Sequence, residues 1–245
     1  KDVDAVYDTG THQGIGGLGI SEYFGFNPRL IDTTAVGGTS YEFQANHAAR
    51  MIASGQASVA LLTYGSTAHS DRRNIGTAGG TSVGPATPAG NMEDSWGQTL
   101  IANYGMVKNR HKHQYGTTDE QFAEISVVTR KHAMRNPEAV KAMTDLEFVG
   151  INEITVQDVL DSRVIAHPLH LLECVMPCAG ACAFIVARAD LAKNLRHAPA
   201  YILGGGLGIL RGNLTHVGEI TVSPVGRAAD KAFAMARCER DDVQV

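Results

Sequence analysis

The chain has 245 residues, 44% of them hydrophobic and 19% charged, with a formal net charge of −4. That length and apolar content suffice for one large core or two modest ones, and the mild acidity argues against a nucleic-acid partner. No apolar run approaches the roughly 20 residues of a membrane helix, and the amino-terminal residues lack a signal-peptide pattern. Four cysteines, among them Cys174, Cys178 and Cys182, fit neither a disulfide framework nor a CxxC pair, so a reducing cytoplasm is expected.

Val3 to Tyr7 reads as a short strand. Gly14-Ile15-Gly16-Gly17-Leu18-Gly19 then matches G-x-G-x-x-G letter for letter. A dinucleotide site also needs a long helix after the last glycine and an acid about 20 residues on to hold the ribose. Here the helix has room only for about Ile20 to Phe24 before Asn27-Pro28, and Asp32 comes too early. A tight glycine turn is the better reading, with an NAD-dependent dehydrogenase as the weaker alternative.

Arg29 to Ala35 is the next strand, and it leads into the organising stretch, Val36 to Ser66. Thr39 with Glu42 has the spacing of a capping box, which starts a helix near Ser40. Phe43, Ala48, Met51 and Ile52 supply its apolar face, and Gly55 its stop. Ala57 to Tyr64 has no charge and no alternation, as expected of a strand covered on both faces. The alternation of strands and helices predicts an α/β layer with a mainly parallel sheet, and its ligands belong at loops such as Gly37-Gly38. A helix N-terminus there favours an anion or an activated nucleophile.

Gly76 to Gly90 is an irregular Gly/Thr/Ser/Ala/Pro segment of the length reserved for a functional excursion. Helices follow at about Trp96 to His113, Asp119 to Met134 (Thr118-x-x-Gln121 box), Pro137 to Met143 (Pro at N1) and Val156 to Ser162. They make a mostly helical insertion. Arg110-His111-Lys112-His113 reads as a solvated basic face, because an i, i+2 histidine pair points in different directions; no metal site is expected. Gly180 to Arg188 resumes the sheet, and Cys174, Cys178 and Cys182 read as small buried side chains, with an exposed nucleophile among them as the lesser alternative. Pro199 to Leu203 is a further strand, Gly204-Gly205-Gly206-Leu207-Gly208 its turn, and Pro224 to Arg237 a helix. The chain begins without Met, and Asp241 to Val245 reads as the entry to another strand, so a portion of something longer is expected.

Three segments, V-G-G-T-S with I-A-S-G-Q-A-S-V-A-L-L-T-Y-G, Tyr115 to Pro137, and Ile154 to Cys174 running on through C-A-G-A-C-A-F-I-V-A-R, together resemble the thiolase superfamily, specifically the sterol-carrier or lipid-transfer type of acyl-CoA thiolase. The resemblance implies a layered α/β/α/β/α core of two similar halves with a helical loop-domain insertion, of which this chain is an incomplete portion. It assigns 1–66 and 175–196 to the first half, 67–174 to the loop domain on the acyl-CoA side and 197–245 to the start of the second half. It also implies a homodimer, no permanently bound cofactor, and a coenzyme A thioester as substrate. The chemistry is making or breaking a carbon–carbon bond next to the thioester.

Family members present Cys-x-Ser-Gly at the helix start, where this chain has Gly38-Thr39-Ser40-Tyr41. Glycine forms no thioester, so retro-aldol cleavage of a β-hydroxyacyl-CoA, which needs no covalent acyl intermediate, is favoured over acyl transfer. Relatives of that kind work with a small OB-fold partner that helps hold coenzyme A. Ser40 is a substitute nucleophile by position, but its reading is hydrogen bonding at the helix start. Tyr41, Met176 and Cys178 are the candidates for contacting the acyl-CoA. Ala179-Gly180-Ala181-Cys182 replaces the family's Asp-Gly-Ala-Ala, which removes a polar group from the pocket. A non-catalytic acyl-CoA or lipid-binding scaffold is the alternative of a different class.

Overall fold

A computed structural model describes residues 2–9, 16–71, 99–148, 150–193, 195–210 and 217–244. The chain forms two compact units, one built from 1–66, 180–210 and 223–245, the other from 67–179 and 211–222.

In the first unit β1 (Ala5–Asp8), α1 (Gly17–Phe24), β2 (Leu30–Asp32), α2 (Ser40–Ala53) and β3 (Val59–Thr67) follow one another. β1 lies parallel to both β2 and β3, with Val6 opposite Ile31 on one side and Leu61 on the other. The helices are therefore the crossovers that parallel neighbours require. The Asp4 carboxylate accepts from the backbone N–H groups of Ser58 and Val59 at 2.9–3.0 Å and fixes where β3 begins. The core under α2 is mostly small: Ala5, Tyr7, Ala48, Ala57, Ala60 and Leu62 are buried, with Met51, Ile52 and Val186 packed on them. β3 alternates, Ala60 and Leu62 being buried while Val59 and Leu61 are only partly so. It is thus fully covered on one face, not on both.

The end of α2 follows the sequence and its start does not. Gly55 has φ +76°, its N–H bonds the Ile52 carbonyl and that of Gln56 the Met51 carbonyl, so the helix closes in a Schellman motif. At the start the Thr39/Glu42 capping box does not form: Thr39, at φ −84° and ψ 5°, has no capping hydrogen bond, since its backbone lies near the helical region. The buried positions of α2 are also polar where an apolar face was expected. Ser40, Gln44 and Ala48, at i, i+4 and i+8, face inward with Asn46, while Phe43 is half-buried.

The early glycines do not make a dinucleotide fingerprint. Gly14 and Ile15 lie outside the described residues. α1 begins at Gly17, within the motif, and stops eight residues on at Gly25, whose φ is +67°. The long helix that the fingerprint needs is not there.

β6 (Ala179–Ala187) completes a sheet of order β2-β1-β3-β6 and runs into a single turn, α7 (Ala189–Ala192). Being at the edge, it leaves Phe184 and Ile185 exposed, and the reading of the three cysteines as buried fails: Cys178 and Cys182 are exposed and Cys174 half-buried.

Pro199 to Leu203 pairs with no strand, but the glycines that follow have a definite partner. Residues 198–210 have no regular structure, and the glycines at 204, 206 and 208 lie against α8 (Val225–Ala236). A Cβ on Gly204 would lie 2.3 Å from the Ala232 carbonyl oxygen, one on Gly206 1.7 Å from that of Ala228, and one on Gly208 2.8 Å from Pro224 Cβ. Two residues of extended chain advance about 6.6 Å and four of helix about 6 Å, so every second residue meets a residue of the same helix face. Only glycine fits at that distance.

The second unit is helical, as expected: α3 (Leu100–Tyr115), α4 (Asp119–Met134), α5 (Pro137–Asp145) and α6 (Val156–Asp161). Each start has its side-chain cap, from Thr99, Thr118, Asn136 and Thr155 respectively, and Thr118 and Thr155 close reciprocal boxes with Gln121 and Asp158. Trp96 and the Gly76 to Gly90 segment lie outside the described residues. A hairpin of β4 (Val164–Ala166) and β5 (Leu169–His170) packs so closely on α3 that a Cβ on Gly105 would lie 3.0 Å from the His167 carbonyl oxygen. Lys108 joins them: only 4% exposed, its Nζ donates to Glu173 Oε1 at 2.6 Å and the Pro168 carbonyl at 3.3 Å, lies 3.3 Å from Asp119, and sits over the Phe122 ring. His111 packs on the rings of Tyr115 and Phe122, so the basic stretch is not solvated throughout.

Candidate active site

The first unit presents the C-terminal ends of β1, β2 and β3 beside the N-terminus of α2, the place where open parallel sheets bind ligands. The turn that enters α2 is built by Ser40. Its hydroxyl accepts from the Val36 N–H at 2.9 Å and donates to the Gly37 carbonyl at 2.6 Å. Buried and doubly engaged, Ser40 serves the helix start, and among the described residues no base bonds its hydroxyl to make it a nucleophile.

The two glycines of the turn differ. Gly37 has φ +88°, a backbone conformation that favours glycine. Gly38 has no such φ, and a Cβ placed on it would meet none of the described residues within 4 Å. Neither the backbone nor packing by the described residues requires a glycine there. The position lies at the end of a 14-residue helix whose first N–H groups have no carbonyl of their own helix to bond.

Tyr41, one turn further on, is the polar centre of this end of the sheet. Its ring stands edge-on to Tyr64, with centroids 5.2 Å apart. The side chain of Thr9, the residue just past β1, is near enough to its hydroxyl to influence its titration. Burial pushes the phenol above its usual range, the Thr9 side chain opposes that, and Tyr64, Asp8 and Cys182 are close enough to push it up further. Asp8 in turn accepts from the Thr63 hydroxyl at 3.0 Å. Behind this layer Gln44 donates to the Thr34 carbonyl at 3.0 Å, and His47 Nδ1 lies 2.7 Å from Asp32 Oδ2.

The structure therefore gathers Gly38, Ser40 and Tyr41 on one turn. Met176 and Cys178 lie in the second unit, where the exposed Cys178 thiol donates to the Met176 carbonyl at 3.2 Å. Sequence reasoning missed Asp8, Thr9, Asp32 and Tyr64. The signal was present for the first three: polar residues immediately at or past short apolar strands fall at the ligand-binding edge of a parallel sheet.

No family model matches the chain. It is 32% identical over 154 residues to an acetyl-CoA acetyltransferase of Methanothermobacter thermautotrophicus, a match covering 62% of this chain and 38% of that protein. It is 39% identical over 103 residues to a steroid side-chain-cleaving aldolase of Thermomonospora curvata, covering 42% and 24% respectively. The solved structure of an Ltp2-ChsH2(DUF35) aldolase superposes with a TM-score of 0.76 at 26% identity, over 98% of this chain and 60% of that one. The chain thus spans less than two thirds of the length of each. Among the described residues no helix is long and apolar enough to cross a membrane.

Proposed function

We propose, from the premise that this chain belongs to the thiolase superfamily, on the sterol-carrier side that its motifs resemble, that the protein acts on acyl-CoA thioesters by retro-aldol cleavage of a β-hydroxyacyl-CoA. The observation that carries this reading is Gly38. At the helix start where the family resemblance places a nucleophilic cysteine, this chain has Gly38, with no described residue packed against it and no left-handed φ that calls for glycine. A covalent acyl intermediate has nowhere to form there.

Retro-aldol chemistry requires no such intermediate. The β-hydroxyl loses its proton, the Cα–Cβ bond breaks, and its electron pair becomes the enolate of the shortened thioester. The N-terminus of α2 suits that enolate oxygen, since helical N–H groups and the helix dipole favour developing negative charge. Tyr41, Met176 and Cys178 are the residues we expect to contact the acyl-CoA. The aldolase names of two similar proteins support this direction. We further propose a cytoplasmic homodimer with no permanently bound cofactor, working with a small acyl-CoA-holding OB-fold partner.

The test is to incubate the full-length protein, alone and with such a partner, with a β-hydroxyacyl-CoA. A ketone or aldehyde plus a shortened acyl-CoA, with unchanged intact-protein mass, is the expected result. A mass increase by one acyl group would instead indicate acyl transfer. Binding without turnover would make the protein a scaffold.

A further inference from the structure

A thioester held at the N-terminus of α2 lays the substituent on its β-carbon across one side of the sheet end or the other, and the two sides differ in chemistry. Toward β2 the surface is polar: Asp32 lies 2.7 Å from His47 and takes the Thr34 hydroxyl at 2.6 Å. Toward β6 the register of the strands decides what is presented. The Arg188 N–H donates to the Ser58 carbonyl at 2.9 Å, and a Cβ on Gly65 would lie 3.9 Å from Ala181 Cβ. Equal steps forward along β3 and backward along β6 join these two contacts. The strands are therefore antiparallel, and Cys182 stands directly opposite Tyr64.

Residues opposed in this way share one face of the sheet, with Cβ atoms about 5 Å apart. Tyr64 lies two residues on from Leu62, which is buried with Ala48 of α2, so the shared face is the one that α2 covers. The Tyr64 ring, 36% exposed, meets Tyr41 edge-on at 5.2 Å. Tyr41 belongs to the first turn of α2, where long side chains lean toward the helix N-terminus. From Gly38 the surface thus runs over Tyr41 and Tyr64 to Cys182, which the described residues leave exposed. It consists of two rings and a thiol.

We propose that the substrate carries an apolar substituent on its β-carbon that lies across Tyr64 and Cys182, and that Cys182 is the specificity-determining residue at the far end of that surface. This rests on the reading of the protein as acting on acyl-CoA thioesters. Apolar area laid on rings and a thiol leaves water with a gain in proportion to that area. Laid toward β2, it would strip water from the Asp32 carboxylate and give nothing back. The ring pair followed by one cross-strand step makes a surface roughly 10 Å long, which suits a medium-chain alkyl group. Cys182 acts by contact alone and forms no bond to the substrate.

The experiment uses the full-length protein with decanoyl-CoA, butyryl-CoA or free coenzyme A, each at about ten times its dissociation constant, and follows alkylation of Cys182 by iodoacetamide through peptide mapping. Decanoyl-CoA is expected to slow alkylation by about tenfold, as that occupancy dictates, and butyryl-CoA and coenzyme A by less than about twofold. Cys182→Asp supplies a measurement independent of thiol reactivity, and carries the test if the thiol is unreactive in the free protein. The carboxylate at this strand position is expected to weaken decanoyl-CoA about tenfold more than butyryl-CoA. Alkylation at the free rate with decanoyl-CoA bound, equal protection by butyryl-CoA or coenzyme A, or an unchanged affinity ratio in Cys182→Asp overturns the assignment and leaves the acyl-CoA reading intact. Failure of every thioester to bind overturns that reading, and this assignment with it.

Discussion

His47 Nδ1 on α2 lies 2.7 Å from Asp32 Oδ2 at the end of the edge strand β2, and the other carboxylate oxygen of Asp32 takes both the N–H and the hydroxyl of Thr34. One carboxylate thus fixes the strand end, the loop after it and the helix that carries the candidate site. Burial pushes the Asp32 carboxyl up, but the bonds from the Thr34 hydroxyl, His47 and the Thr34 backbone, with the charge of His47, bring it below its usual range. Beneath it Tyr7 is completely buried, and burial together with the Asp32 charge raises its phenol to about 12.

Asp32 therefore makes stability depend on acid. A carboxyl with a lowered folded pKa stabilises the fold fully above its unfolded value near 3.9, and that contribution disappears as pH falls through the folded value. Asp32→Asn is expected to cost on the order of 1 kcal/mol at neutral pH, since the site is partly open to solvent. Urea midpoints of the variant and wild type should converge as pH falls through that folded value. A gap that stays constant down to pH 2 would show that the carboxylate charge is not what holds the three segments.

Lys108 makes a larger and differently signed test. Lys108 and Glu173 are 4% and 7% exposed, so removing the cation leaves a buried carboxylate without its partner. Lys108→Met is expected to destabilise the second unit by about 3 kcal/mol or more, whereas Lys108→Met with Glu173→Leu should recover most of that. Guanidinium unfolding of both variants reads the difference. Additive losses in the double variant would mean that the ion pair itself does not carry the cost.

The glycine run along α8 gives a steric prediction. Gly206→Ala places a Cβ 1.7 Å from the Ala228 carbonyl oxygen, so the segment and the helix must separate, at a cost of about 3 kcal/mol. Gly226→Ala, inside the same helix with nothing within 4 Å, should gain up to about 1 kcal/mol. Thermal midpoints that move in the same direction for both would refute the packing account.

Legibility followed the locality of the forces. Thr118 with Gln121, Asn136 before Pro137, and Gly55 after α2 act within a few residues, so helix boundaries in the second unit and the end of α2 could be read directly. Pro199 to Leu203 has the composition of a strand, but among the described residues no strand pairs with it, and composition carries no information about that. α2 misled for a tertiary reason. Gln44 turns inward to the Thr34 carbonyl, and Asn46 sits where a Cβ on Gly205 would come within 1.9 Å of its side-chain nitrogen. Helix periodicity cannot reveal a partner 10 or 159 residues away. The candidate site divides the same way: Gly38 and Ser40 are two residues apart in sequence, whereas the Tyr41 contact with Tyr64 exists only once the sheet forms.

The last prediction returns chemistry to the open position. Because Gly38 needs neither a left-handed φ nor close packing, Gly38→Cys should fold with stability within about 0.5 kcal/mol of wild type. Gly37→Cys, one residue earlier at φ +88°, should be strained and clearly less stable. The thiol introduced at position 38 would stand at the N-terminus of α2, where a thiolate is favoured and its pKa should fall below the usual 8.5 or so. Given an acyl-CoA, that variant should gain the mass of one acyl group, localised by peptide mapping, while wild type gains none despite its exposed Cys178 and Cys182. If the new thiol reacts with iodoacetamide but never takes the acyl group, the thioester does not bind at this turn. The carbon–carbon chemistry would then have to be sought elsewhere in the protein.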